Sequence, residues 1–270
     1  MLRERSVLRL SESLVAALLV VICAVFAMRA PQALPLHAAL AAAFLATIAL
    51  ARHRDGIRAF AIVAVLMTLY STVAEPAFVA MHGAKDFALA AADRAIGFGH
   101  DPALAAQHLV TATNLEVFSF IYGFFIPYLW LSILLGCVGR PPHERAAFLL
   151  GLAITYTLAY LGYLFVPARG PVEWYRFAAP LHGGRFHRIV LDSVVATGGN
   201  HGAFPSLHVG ASAYLCLFDL RRNPLRGMTY APMVLLIAVS TIVLRYHYVI
   251  DIACGFAIAL VAFAATERAA

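Results

Sequence analysis

Apolar residues along this chain fall into eight runs, at about 13–29, 36–51, 57–82, 115–138, 146–166, 205–220, 230–246 and 248–266, and short stretches rich in arginine, proline and glycine separate them. A helix needs about 20 residues to cross roughly 30 Å of hydrocarbon. Each run therefore reads as a membrane-spanning helix, with the second, sixth and seventh slightly short. The predicted fold class is all-α: a polytopic membrane helix bundle of about eight spans, six to eight being compatible with the run lengths. Residues 1–82 form the N-terminal spans, and 1–270 reads as a single membrane domain.

Two intervening segments are longer than connectors. Residues 86–114 carry apolar positions at roughly helical spacing on both sides of a Gly/Asp-Pro break, which fits a pair of helices lying in the interface and equally an ordinary re-entrant connector. Residues 166–204 begin Pro167-Ala168-Arg169-Gly170-Pro171, continue to Trp174 and Tyr175, and carry His182, His187 and His201. Their tryptophan and tyrosine suit a headgroup-level belt. Glu75-Pro76 falls towards the end of the third run, where a kinked helix sending a carboxylate to the interface competes with a functional acid.

Composition supports the membrane reading. The chain is 62% apolar and 13% charged, against about 45–50% and about 25% in soluble domains. The net charge of +6 is almost all arginine, Lys85 being the only lysine, and no basic run is long enough for nucleic acid. Arginine crowds alternate segments (Arg3, Arg5 and Arg9; Arg52, Arg54 and Arg58; Arg140 and Arg145; Arg221, Arg222 and Arg226; Arg268), so both termini are expected inside. The first run is long enough to remain as an anchor. Cys23, Cys137, Cys216 and Cys254 all lie in apolar runs and form no C-x-x-C pair, as expected of small buried residues.

This topology brings two polar motifs to one outer face. In the first, Gly202-Ala203-Phe204-Pro205-Ser206-Leu207-His208, a proline and a serine open a helix whose free N–H groups favour an anion. In the second, Arg245-Tyr246-His247-Tyr248-Val249-Ile250-Asp251, His247 and Asp251 are four residues apart and would share a helix face. A carboxylate on one imidazole nitrogen fixes the tautomer and leaves the other free as base, nucleophile or metal ligand. His208 is then available as a general acid, and Arg169 and Arg245 as phosphate forks. A lone His-x-x-x-Asp is more often structural. Both motifs at span edges on one side are far more specific.

These residues resemble the type 2 phosphatidic acid phosphatase superfamily, whose pattern is a Lys/Arg-Pro element, Pro-Ser-Gly-His, and Ser-Arg-x5-His-x3-Asp. Here Pro205-Ser206-Leu207-His208 stands for the second, and Ser240-Thr241 with His247 and Asp251 for the third, followed by Gly255. The departures, Leu207, Thr241 and a first element without lysine, resemble the inositol phosphorylceramide synthases and their bacterial relatives, as do Trp174-Tyr175 and the 93–102 segment. The resemblance spans about 85–265, the expected catalytic core.

The resemblance implies that His247 attacks phosphorus to form a phosphohistidine, that Asp251 orients it, and that His208 protonates the leaving alkoxide and then activates the acceptor. Arg169, Arg245, Ser206 and Thr241 would bind the phosphate, with His201, Trp174 and Tyr175 as a substrate wall. No metal and no cofactor are implied. Membrane lipids are the expected partners: a phospholipid donor and a lipid hydroxyl such as ceramide's, or water in a phosphatase acting on phosphatidic acid or polyprenyl phosphates. The expected location is a bacterial inner membrane with a periplasmic site. Two further readings are a non-catalytic membrane protein or transporter with a degenerate site, and a metal site of His201, His208, His247 and Asp251.

Overall fold

The computed structural model describes residues 2–81, 85–196, 199 and 201–269. Among these residues thirteen α-helices follow one another: α1 (Leu2–Arg29), α2 (Leu34–Leu50), α3 (Asp55–Thr72), α4 (Ala74–Ala80), α5 (Asp86–Ile96), α6 (Pro102–Ala106), α7 (Ala112–Cys137), α8 (Pro142–Phe165), α9 (Pro171–Trp174), α10 (Arg185–Ala196), α11 (Leu207–Arg222), α12 (Pro224–Val243) and α13 (Val249–Ala269). No strand occurs among the described residues.

Seven helices, α1, α2, α3, α7, α8, α12 and α13, are long and apolar enough to cross a membrane. The sixth expected span, α11, has 16 residues and rises only about 24 Å. It is enclosed by α8, α12 and α13, so its ends need not reach both interfaces. The third run is not one helix. It breaks at Val73 into α3 and α4, because Pro76 has no N–H to offer the carbonyl four residues back. The seventh begins earlier than its apolar run, where Asn223 caps α12 and Pro224 takes the first turn. The first begins at Leu2, so its polar N-terminal stretch is helical too.

The bundle is built around α8. Of its most apolar window 72% is buried, against 11% for α2, which lies on the outside. Large apolar side chains such as Leu50, Phe60, Trp130, Leu134, Leu235 and Leu260 stay exposed around the bundle. A lipid-facing surface accounts for them. This is a polytopic membrane helical bundle.

Its two ends differ. At one end arginines are tied into ion-pair networks: Arg58 grips Glu12 at 2.7 and 2.8 Å and Asp55 at 2.9 Å. Asp219 joins Arg140 to Arg226, the latter at 2.6 Å, and Glu267 receives Arg221 and Arg222. At the other end α4, α5, α6, α9 and α10 surround the mouths of the spans. The helices expected within 86–114 are α5 and α6, and with α9 and α10 they sit at the end where α11 and α13 begin.

Candidate active site

The histidine end is assembled by close backbone packing. Where α11 crosses α13, a Cβ on Gly255 would meet the Ser206 carbonyl at 2.6 Å and the Gly210 nitrogen at 3.1 Å. Only a glycine allows this approach. The Ser206 N–H then donates to the Asp251 carbonyl at 3.1 Å, so the starts of the two helices are joined.

His247 lies outside the helix that was expected to hold it. Residues 245–248 form a turn, and α13 starts at Val249. The i, i+4 contact forms because Asp251 folds back over the helix start: its Oδ2 accepts the Tyr248 N–H at 2.8 Å and stands 3.4 Å from His247 Nδ1. The shorter contact of Nδ1 is to the Ala203 carbonyl, at 2.7 Å. A carbonyl only accepts, so Nδ1 carries the proton and Nε2 keeps its lone pair. Two acceptors, from two motifs, set this tautomer.

His208, in the first turn of α11, has its ring 5.9 Å from that of His247. Tyr122 and Phe125 pack on it at 4.5 Å, and its Nε2 lies 3.2 Å from the Tyr70 hydroxyl. His208 and His247 line a cavity of about 70 Å³ with Tyr70, Ala74, Tyr122, Tyr163, Val194, Gly199 and Gly202. It is a small cavity, and both histidine rings line it.

The structure brings His208, His247 and Asp251 together. The other expected residues lie around them. Ser206 is buried, and its Oγ accepts the Val209 N–H at 3.5 Å as the cap of α11. Thr241 is buried in α12, its hydroxyl donated to the Ala238 carbonyl at 2.7 Å, while its own carbonyl accepts the Tyr246 and His247 N–H groups. Arg169 is about half exposed at the rim, over the Phe78 ring at 4.8 Å and 3.7 Å from Glu173. His201 packs against that same Phe78 in a tilted pair, centroids 4.7 Å apart. Trp174 is half-exposed at the end of α9, and Tyr175 donates to Asp101 at 2.8 Å. Arg245 is not brought to the histidine pair. It has a positive φ of 66°, which turns it into a neighbouring cavity. His201, His208, His247 and Asp251 do not gather as a metal-ligand set among the described residues.

Sequence reasoning missed Tyr70, Tyr122, Tyr163, Asp86 and the holding role of Asp93. Asp86 is buried and accepts the Arg169 and Gly170 N–H groups at 3.0 and 2.8 Å and the Tyr248 hydroxyl at 2.9 Å. Asp93 accepts the Val249 and Ile250 N–H groups at 2.9 and 2.8 Å, completing the start of α13. Burial raises the Asp93 carboxyl above its ordinary value, against the pull of those two N–H groups, and Asp101 adds to the rise. The signal was there: two acidic residues seven apart in an otherwise apolar segment. The tyrosines carried none, since a tyrosine in a span is ordinary core.

A family model described as the PAP2 superfamily matches residues 87–265. The curated proteins and the solved structures yielded no significant match. The matched region contains His208, His247, Asp251 and Asp93, whereas Tyr70 and Asp86 precede it.

Proposed function

The chain belongs to the PAP2 superfamily, which groups phosphatases and phosphotransferases of lipid phosphates, and from that premise we propose that it is a lipid phosphotransferase working through a phosphohistidine at His247. The observation that carries this is the tautomer of His247: Nδ1 is held by the Ala203 carbonyl at 2.7 Å with Asp251 beside it, so Nε2 is the free nucleophile in the cavity. Its lone pair attacks phosphorus, and the bond to the lipid oxygen breaks. His208, protonated, gives its proton to the leaving alkoxide. His208 then takes a proton from the incoming hydroxyl, whose oxygen attacks the phosphohistidine and releases His247. The steps need no metal, and turnover is expected to persist in EDTA.

The finer reading is transfer of a phospho-headgroup, phosphoinositol-like, to a lipid hydroxyl such as ceramide's. Leu207 and Thr241 support it, as does a cavity of about 400 Å³ beside the small one, with room for a headgroup that stays on phosphorus. The small cavity itself also suits a phosphatase with water as acceptor. The arginine networks at the opposite end support a cytoplasmic location for both termini and a periplasmic site in a bacterial inner membrane. Tyr70 of α3 completes the cavity, which supports treating 1–270 as one domain.

The test is product analysis by mass spectrometry, using the full chain with phosphatidylinositol and ceramide, and with phosphatidic acid alone. Inositol phosphorylceramide would establish transfer, and diacylglycerol with free phosphate a phosphatase. No product from either, in wild type as in H247A, would mean a non-catalytic protein.

A further inference from the structure

Among the described residues, Arg245 is a buried cation without a counter-ion. The residue is only 7% exposed, and no carboxylate among the described residues pairs with it. One guanidinium nitrogen, Nη1, donates to the Ala179 carbonyl at 2.9 Å, and its Cζ lies 3.8 Å from the centre of the Phe177 ring. Its Nε is buried with no partner among the described residues. A guanidinium withdrawn from water needs an anion or a full set of acceptors, and one carbonyl with one aromatic face supply only part of that. The backbone there is also held at φ 66°, an uncommon conformation for a residue with a side chain and one that recurs at ligand clamps.

Two cavities border this cation. Cavities of about 400 and 210 Å³ both have Arg245 in their walls. The larger is also lined by Tyr175, Phe177, His187, Leu191 and Tyr246. It adjoins the histidine cavity. Tyr246 packs 5.2 Å from Tyr122, which lines the small one. Arg245 and His247 are two residues apart, so their Cα atoms are separated by at most about 7 Å. A headgroup long enough to pass the Tyr122–Tyr246 pair would place one anion at each.

Taking the phosphotransfer reading for the neighbouring site, we propose that Arg245 binds a second oxyanion, a phosphate or carboxylate on the headgroup of the lipid whose reacting phosphorus lies at His247. A donor whose headgroup has a negative charge of its own is then held more tightly than one that has none. A plain inositol headgroup lacks one, and a phosphorylated one has it.

The test is binding to the full chain in nanodiscs, with inositol 1,4-bisphosphate as the two-anion probe and inositol 1-phosphate as the one-anion probe. Wild type and H247A are expected to bind the bisphosphate at least tenfold more tightly. In R245Q the ratio is expected to fall to about one, and in R245K to an intermediate value. Phosphoserine in place of the bisphosphate distinguishes a carboxylate from a phosphate as the second anion. An unchanged ratio in R245Q, or an equal loss for both probes, would overturn the proposal. Wild-type protein gives an independent check through labelling of Arg245 by phenylglyoxal, read by mass spectrometry. Protection by the bisphosphate and not by the monophosphate supports the site, and equal labelling with either overturns it. If the ratio behaves as expected but no lipid phosphate is turned over, the Arg245 site stands and the enzymatic reading fails.

Discussion

Asp86 and Asp93 stand seven residues apart on α5, two turns along one face, and each carboxylate holds a different part of the histidine end. Asp86 ties the 169–170 loop to Tyr248, and Asp93 closes the N-terminus of α13. A short interfacial helix thus fixes the turn carrying His247 from both sides. Among the described residues, the hydrogen bonds of both carboxylates go to groups outside the lining of the small cavity, so they act on the chemistry through position.

The first expectation concerns Asp93. Removing its carboxylate leaves two N–H groups without their acceptor, at about 1–3 kcal/mol, and D93A is expected to lose about tenfold in kcat. The pH dependence has a definite sign. Because burial raises this carboxyl above 3.8, the folded protein keeps the proton to higher pH than the unfolded chain. Its stabilising contribution is fully present below the unfolded value and is lost as pH rises through the folded one. Thermal melts should therefore show wild type losing Tm relative to D93N as pH rises. A difference that stays flat, or slopes the other way, contradicts the assignment.

His247 and Asp251 are expected to differ in severity. H247A removes the nucleophile and should abolish turnover, a loss of about 10⁴-fold or more. In D251N the Ala203 carbonyl still holds the His247 tautomer at 2.7 Å, so about 10²–10³-fold is expected. Single-turnover assays with 32P-labelled lipid phosphate should show label trapped on D251N and none on H247A. Equal labelling of both would place the covalent step elsewhere.

Tyr70 bonds His208 at 3.2 Å and is expected to orient the acid. Y70F should lower kcat about tenfold for a lipid alkoxide, which needs its proton. It should leave p-nitrophenyl phosphate nearly unchanged, because nitrophenolate departs without one. A loss of the same size for both substrates would indicate a structural role only.

The long runs and both motifs were legible in the sequence because hydrophobic length and polar residues at span edges are local properties. His208, His247 and Asp251 meet because alternating spans bring the starts of α11 and α13 to one end, which the span order implied. Arg245 was not legible. Its direction depends on a left-handed residue in the turn after α12, and nothing in Leu-Arg-Tyr-His announces one. Thr241 was expected at phosphate, but its hydroxyl is taken by its own helix at 2.7 Å, as commonly happens to a buried threonine with no other partner. Tyr70 and Asp86 lie far from the motifs in sequence, and only tertiary packing joins them.

The crossing of α11 and α13 gives the last expectation. A Cβ on Gly255 would sit 2.6 Å from the Ser206 carbonyl and 3.1 Å from the Gly210 nitrogen. Both are backbone atoms, so a side chain there must push the helices apart. Overpacking of this kind costs about 1–3 kcal/mol. The displacement also separates His208, on α11, from His247 and Asp251 at the start of α13, and a shift near 1 Å costs about 10²-fold in rate. G255A is expected to lose at least tenfold in kcat, and G255V to be inactive with a lower Tm. Gly56, in the first turn of α3 at the opposite end, has open space where its Cβ would be. G56A should keep full activity and match or exceed the wild-type Tm. Parallel kcat and Tm measurements on the three variants decide the matter, and full activity in G255V would show that this crossing does not position the histidines.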